Sequence, residues 1–360
     1  MPTRNDIQQE IMKLKDAGQD NVRHRYLKEL HEKTQRDTVI YFSSFNTPRP
    51  FQVPPAALSL TQEDIQGFMA SLNGLKGKNL DLMLHSPGGS LEAADQIVQY
   101  LRSKYKHIRA IIPQNAMSAA TMIACACDEI LMGRQSAIGP IDPQISGIPA
   151  HTILRDFDQA KADIITNPLL ANLWVPRLAS LPVGLFNLCE QNIKLSQEKV
   201  EQWLSQYMFK GKASKKAKDI SDWLGKFDEH RTHGRPIGYD LAHTKGLNVK
   251  RLEDDQELQD KVLSVYHATM VTFQTTGCLK IIENHNGKGH YFVASFLVQP
   301  MGQPASPQPA PLQPMAQPPA PDLDPPGPCT APAGDDAGER QVKGHGHETK
   351  TKKRSGGRKL

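Results

Sequence analysis

Two short segments hold residue types that together can perform acyl transfer: "LHSPGGS" at 84–90 and "AMSAATMIACAC" at 116–127. Paired Gly88 and Gly89 permit backbone geometry that a Cβ forbids. At the mouth of a helix their N–H groups can point outward, where positive potential favours an anion. Ser118 adds a hydroxyl at the next strand-to-helix junction, and a hydroxyl beside outward N–H groups is the minimum apparatus for nucleophilic attack with a stabilised oxyanion. Taken singly, the first segment reads as a tight turn and Ser118 as a packing residue or helix N-cap. Their order is more specific, because "SAIGPIDP" at 136–143 follows them after one further strand.

Positioning these groups requires alternating strands and helices. "TVIYFSSF" (38–45), "NLDLMLHS" (79–86), "IRAIIP" (108–113) and "EILMG" (129–133) read as strands. Between them, "SLTQEDIQGFMASLNGL" opens with a capping pattern at Ser59 or Thr61, "LEAADQIVQYLRSKY" has helical apolar spacing, and 118–127 forms the next helix. Short links between such elements predict a parallel sheet with right-handed crossovers, whose ligands bind at the carboxyl ends of the strands. From His151 to about Phe209 the pattern is helical, and "LKIIENHNGKGHYFVASF" reads as a terminal hairpin turning at Asn286-Gly287. Residues 1–36 read as an amphipathic helical extension and 37–298 as the folded domain.

Thirteen of the 27 prolines fall between Pro300 and Pro332. That composition predicts a disordered linker over 299–335. From Glu339 the chain carries a net charge of +6 against a total of +5, so the residues before it sum to −1. The basic balance belongs to a disordered tail, 336–360, which could touch nucleic acid or an acidic partner. No leader-like apolar region opens the chain, and no apolar run is long enough to span a bilayer; a cytoplasmic location is expected. Five cysteines without a pairing framework fit a reducing compartment, with Cys125 and Cys127 as buried small hydrophobes.

"LHSPGGSLEAADQIVQYLR", "AMSAATMIACACDEILMG" and "SAIGPIDPQ" resemble the Clp-fold serine proteases, and most closely the serine dehydrogenase proteinase family, related to signal peptide peptidase A. The resemblance implies an α/β fold of the Clp/crotonase type, a spiral of ββα units. It also implies a serine peptidase acting on peptide or unfolded protein, a homo-oligomer, and no metal or organic cofactor. The family's nucleophile falls on Ser118, and its oxyanion donors fall on the N–H groups of Gly88 or Gly89 and of Ala119.

The general base is less plain, because the place of the Clp protease histidine is taken here by Ile141, next to Asp142. Similarity of "SAIGPID" to signal peptide peptidase A implies a Ser/Lys dyad, with Lys161 in "DQAKADIITNP" the nearest match and Lys194 a weaker one. His233, in "RTHGRPI", is the second candidate, lying close to where the Clp fold carries its aspartate; neutral imidazole has the right base chemistry. Asp142, Pro140 and Pro143 are expected to shape a loop of the substrate cleft. The other histidines, including His85 and His285, form no HExxH or close pair in sequence, so no metal is assigned. Two rival readings share the fold. One is a crotonase-like acyl-CoA enzyme, which needs no serine at 118. The other is an inactive oligomeric scaffold that has lost its base.

Overall fold

Apolar residues alternate along the central strands because both faces of the sheet are covered. In the computed structural model, which describes residues 3–13, 18–49, 51–210 and 214–294, Val39 and Tyr41 of strand β1 (Asp37–Ser43) face one core while Ile40 and Phe42 face the other. The same division holds in β2 (Asn79–His85), where Leu80, Leu82 and Leu84 oppose Met83, and in β3 (His107–Ile112), where Ile108, Ala110 and Ile112 oppose Ile111. Each such apolar side chain contributes about 1.5–3 kcal/mol when fully buried. A one-residue slip would reverse every one of them, so the register is firmly set.

Beyond β3 the chain makes short β4 (Asn115–Ala116), then β5 (Glu129–Met132), short β6 (Ala137–Ile138) and a small hairpin of β7 (Gln144–Ile145) and β8 (Ile148–Pro149). Three strands follow much later: β9 (Val249–Arg251), β10 (Cys278–Asn284) and β11 (Gly289–Val293). The main sheet has the order β11-β10-β1-β2-β3-β5-β9, and β1, β2, β3, β5 and β9 run parallel to one another. The expected terminal hairpin is present, with Gly287 at φ +71° in its turn. It is not separate from the sheet, because β10 pairs antiparallel with β1 and closes that edge.

Thirteen α-helices occur among the described residues. In front of the sheet lie α4 (Asp64–Leu72), α5 (Leu91–Lys104) and α6 (Ala119–Cys125), together with residues of α9 (Leu185–Trp203) and α10 (Ser214–Gly225). Short α3 (Pro55–Leu58) precedes α4; α7 (Ala150–Thr166) and α8 (Ala171–Ala179) lead into α9; α11 (Phe227–His230) and α12 (Tyr239–Thr244) follow α10. Behind the sheet, α1 (Arg4–Lys13) and α2 (Gly18–Thr34) share one core with α13 (Gln256–Thr275).

The N-terminal helices are therefore part of the core and not a separable extension, since residues 1–298 form one compact unit. Val22, Tyr26, Leu27 and Leu30 of α2 are buried, and so is Arg23 between them. Its guanidinium reaches Glu283 of β10 at 2.7 Å, and both side chains are fully buried. Thr272 of α13 accepts a second bond from it at 2.9 Å. The Pro-rich linker and basic tail expected from the sequence lie outside the described residues.

Removing the Glu283 charge leaves buried Arg23 with only the half-exposed Asp20 as carboxylate partner, so Glu283→Gln should lower unfolding free energy by up to about 3–5 kcal/mol in urea titrations. Burial pushes the Glu283 carboxyl up, but His24 and Arg23 outweigh it and hold it at about 2, below the ordinary 4.5. Burial alone lowers His85 from 6.5 to about 3. In both cases the unfolded chain binds the proton more readily, so stability should fall with pH, from about 6.5 downward through His85 and from about 4.5 down to about 2 through Glu283. Denaturant titrations at pH 7, 5.5 and 4 check this, and His85→Gln should flatten the upper part of the curve.

Candidate active site

Ser118 sits between β4 and α6 with φ 52° and ψ −119°. This is a conformation that glycine adopts freely and other residues adopt at a cost of about 1–3 kcal/mol. The helix begins only at Ala119, and the Ser118 side chain does not cap it. Capping, one of the two simpler readings, therefore does not account for this serine. A strained strand-to-helix turn lifts a hydroxyl clear of the sheet, as in a nucleophile elbow.

The two motif segments are laced together by backbone. Ser86 N–H donates to the Asn115 carbonyl at 3.0 Å, and Met117 N–H donates to the Ser86 carbonyl at 2.9 Å. Gly88 then passes so close that a Cβ there would lie 2.6 Å from both the Ser118 Cβ and the Met117 carbonyl. Its φ of +93° is a second reason for glycine. The Gly88 N–H is already used, donating to Ser86 Oγ at 3.1 Å. Those of Gly89 and Ala119 donate to no described residue, so of the candidate oxyanion donors these two stay open.

The "SAIGPID" segment completes one wall. Thr121 Oγ accepts from Gly139 N–H at 2.9 Å and donates to the Ala116 carbonyl at 2.7 Å, tying this segment to the serine turn. Ile138 and Ile237 exchange backbone hydrogen bonds at 3.0 and 2.8 Å, which brings 233–237 alongside. As a result His233 Nδ1 lies 2.9 Å from Asp142 Oδ1. Asp142 is 1% exposed and His233 23% exposed. The other Asp142 oxygen is buried without a hydrogen-bond partner. A carboxylate can only accept, so in this contact Nδ1 is the donor.

Ser118, Gly88, Gly89, Ala119 and His233 all line one cleft of about 580 Å³, whose other walls include Met122, Ile141 and, from α9, Asn192 and Ser196. Ser118 and His233 share it without a hydrogen bond between them. Lys161 is elsewhere: it lies on α7, 56% exposed, with Nζ 2.7 Å from Asp158. No lysine lines the cleft. The exposed Lys194 on α9 faces Glu198 at 3.8 Å. Sequence reasoning assigned Asp142 to loop shape and missed its contact with His233.

Cys125, Cys127, Cys189 and Cys278 are buried. Burial pushes the Cys127 thiol up to about 12, away from nucleophilic chemistry. One group of metal-type donors stands together among the described residues: His31, Asp37 and His285. The two imidazoles, distant in sequence, are stacked with centroids 3.7 Å apart and planes 7° from parallel. Their in-plane lone pairs run side by side and do not converge on one ion.

Two substitutions test the geometry. Gly88→Ala should disturb the serine turn and reduce any activity of Ser118 by about 100-fold or more, read as turnover per folded molecule. Ser118→Gly should be more stable than Ser118→Ala by about 1 kcal/mol, because it releases the φ strain; equal stabilities would show that no strain is stored there.

A family model described as ClpP-like SDH-type serine proteinase matches residues 13–276. An uncharacterized protein of Methanocaldococcus jannaschii, MJ0137, is 29% identical over 230 residues, covering 63% of this chain and 73% of that protein. A second uncharacterized protein of that organism, MJ1495, is 42% identical over 78 residues, 22% of this chain and 27% of that protein. A solved structure of a mutant 1510-N membrane-bound stomatin-specific protease aligns at 17% identity with a TM-score of 0.32, covering 56% of this chain and 79% of that one. No helix among the described residues is long and apolar enough to cross a membrane. With the family model spanning most of the α/β body, the chain belongs to the ClpP-like SDH-type serine proteinase family.

Proposed function

We propose that this chain is a serine endopeptidase in which Ser118 is the nucleophile, His233 the general base and Asp142 the residue that orients His233. The observation that carries this reading is the 2.9 Å contact between His233 Nδ1 and buried Asp142, at the wall of the cleft that Ser118 also lines. Ser118 Oγ attacks the scissile carbonyl carbon and its proton passes to His233 Nε2. The resulting imidazolium is stabilised by Asp142, and the oxyanion by the N–H groups of Gly89 and Ala119. The imidazolium then protonates the departing amine, and the same imidazole activates the water that hydrolyses the acyl-enzyme.

Substrate entry has a backbone rationale. Leu60 bridges Gly89 on one side, its N–H donating to the Gly88 carbonyl at 2.7 Å and its carbonyl accepting from Ser90 N–H at 2.9 Å. In a parallel ladder the N–H and C=O of Gly89 itself then face the other way, free to pair with an extended substrate. The strained serine favours peptidase over a crotonase-like enzyme, which has no use for it. A carboxylate-oriented imidazole in the cleft favours it over a scaffold without a base.

Cleavage of an unfolded, fluorophore-labelled protein tests the roles. Ser118→Ala and His233→Ala should abolish turnover, Asp142→Asn should lower kcat by roughly 10³-fold or more, and Lys161→Ala should leave it unchanged. Loss of turnover in Lys161→Ala with retention in His233→Ala would reverse the base assignment; absence of cleavage by the wild type would favour the scaffold.

A further inference from the structure

Behind the cleft, a chain of buried polar groups runs from β10 to the oxyanion loop. Lys280 and Asp64 are both buried, with Nζ 2.6 Å from Oδ1. Lys280 also donates to the Ser59 carbonyl at 3.0 Å. The second carboxylate oxygen of Asp64 accepts from the Thr61 N–H at 2.9 Å and from the Tyr41 hydroxyl at 2.8 Å. Neither Ser59 nor Thr61 caps α4 with its side chain, but Asp64 accepts from the Thr61 N–H, which is one half of the expected capping box.

The ion pair and the Ser86 hydroxyl converge on Gly88. Through Ser59 and Thr61 the ion pair fixes Leu60, which bonds the Gly88 carbonyl and the Ser90 N–H. On the other side the buried Ser86 hydroxyl accepts from the Gly88 N–H, while the Tyr41 hydroxyl donates to Asp64 and so acts through Leu60. Both polar groups of Gly88 are thus held, and with them the orientation of the next N–H, that of Gly89. Polar residues buried this deeply are costly to keep unless fully partnered. An apolar core of equal volume would serve stability at least as well.

We infer that Asp64, Lys280, Tyr41 and Ser86 are positioning residues for the oxyanion loop, setting the direction of the Gly89 N–H toward the substrate carbonyl. The inference rests on the peptidase reading above. None of the four lines the cleft; they act through Gly88. Loss of a link should leave substrate binding alone and weaken only transition-state stabilisation.

Tyr41→Phe and Ser86→Ala each remove one hydroxyl and keep the core filled. Each should lower the rate constant for fluorophosphonate acylation of Ser118, and kcat, by about tenfold or more. KM and the shape of the pH profile, which report binding and the base, should stay as in the wild type. The double variant should fall below either single variant, because Tyr41 acts through Asp64 and Leu60 while Ser86 holds the Gly88 N–H directly. Val262→Ala, in the core behind the sheet, serves as a comparably destabilised control and should keep the wild-type rate per folded molecule. Wild-type rates in Tyr41→Phe and Ser86→Ala, with Ser118 still labelled, overturn the inference alone. An unlabelled wild type overturns the peptidase reading and this inference with it.

Discussion

The close approach of Gly88 to Ser118 is the contact on which the rest of the site depends. A Cβ at 88 would lie 2.6 Å from the Ser118 Cβ, so the loop and the serine turn can share the space only while one of them lacks a side chain. That proximity puts free N–H groups beside the hydroxyl. Beside it the backbone at 118 stands at an unfavourable φ of 52°. The strain persists because neighbouring contacts over-determine it: the Ser86–Ala116 bridge below, Thr121 and Gly139 on one flank, and the buried helix α6 after it.

Around this contact the protein buries charge in pairs and places each pair where distant segments must meet. Arg23–Glu283 fastens the first helices to the last sheet strands, and Lys280–Asp64 fastens β10 to the start of α4. The contact between His233 and Asp142 fastens the loop before α12 to the "SAIGPID" wall. Two of these pairs are enclosed in the core. The third stands at the edge of a cleft, partly exposed on the histidine side.

Much of the fold was legible because burial on two faces writes itself into strand composition. β1, β2, β3 and β5 begin or end within two residues of their expected bounds, and the hairpin turn at Asn286-Gly287 stands where its dipeptide placed it. Ser118 and the PGG loop were legible for a related reason, since only small residues and glycines fit such a junction. What sequence spacing hid were the long-range polar partners. Arg23 interrupts an apolar helix face, and the Glu283 that satisfies it lies 260 positions on. Asp142 meets its histidine 91 positions later, so "PIDP" read as a turn. Lys161 matched a motif by its neighbours, yet the helical register of α7 leaves it beside Asp158 in solvent.

The central claim is that Ser118, held in this strained turn beside an Asp142-oriented histidine, is a reactive nucleophile. Mass spectrometric mapping of the full chain after treatment with a fluorophosphonate at neutral pH tests it most directly. The account predicts one adduct, on Ser118, formed far more slowly in His233→Ala and absent in Ser118→Ala. No adduct at any pH from about 6 to 9, or labelling at another serine that survives Ser118→Ala, would contradict it.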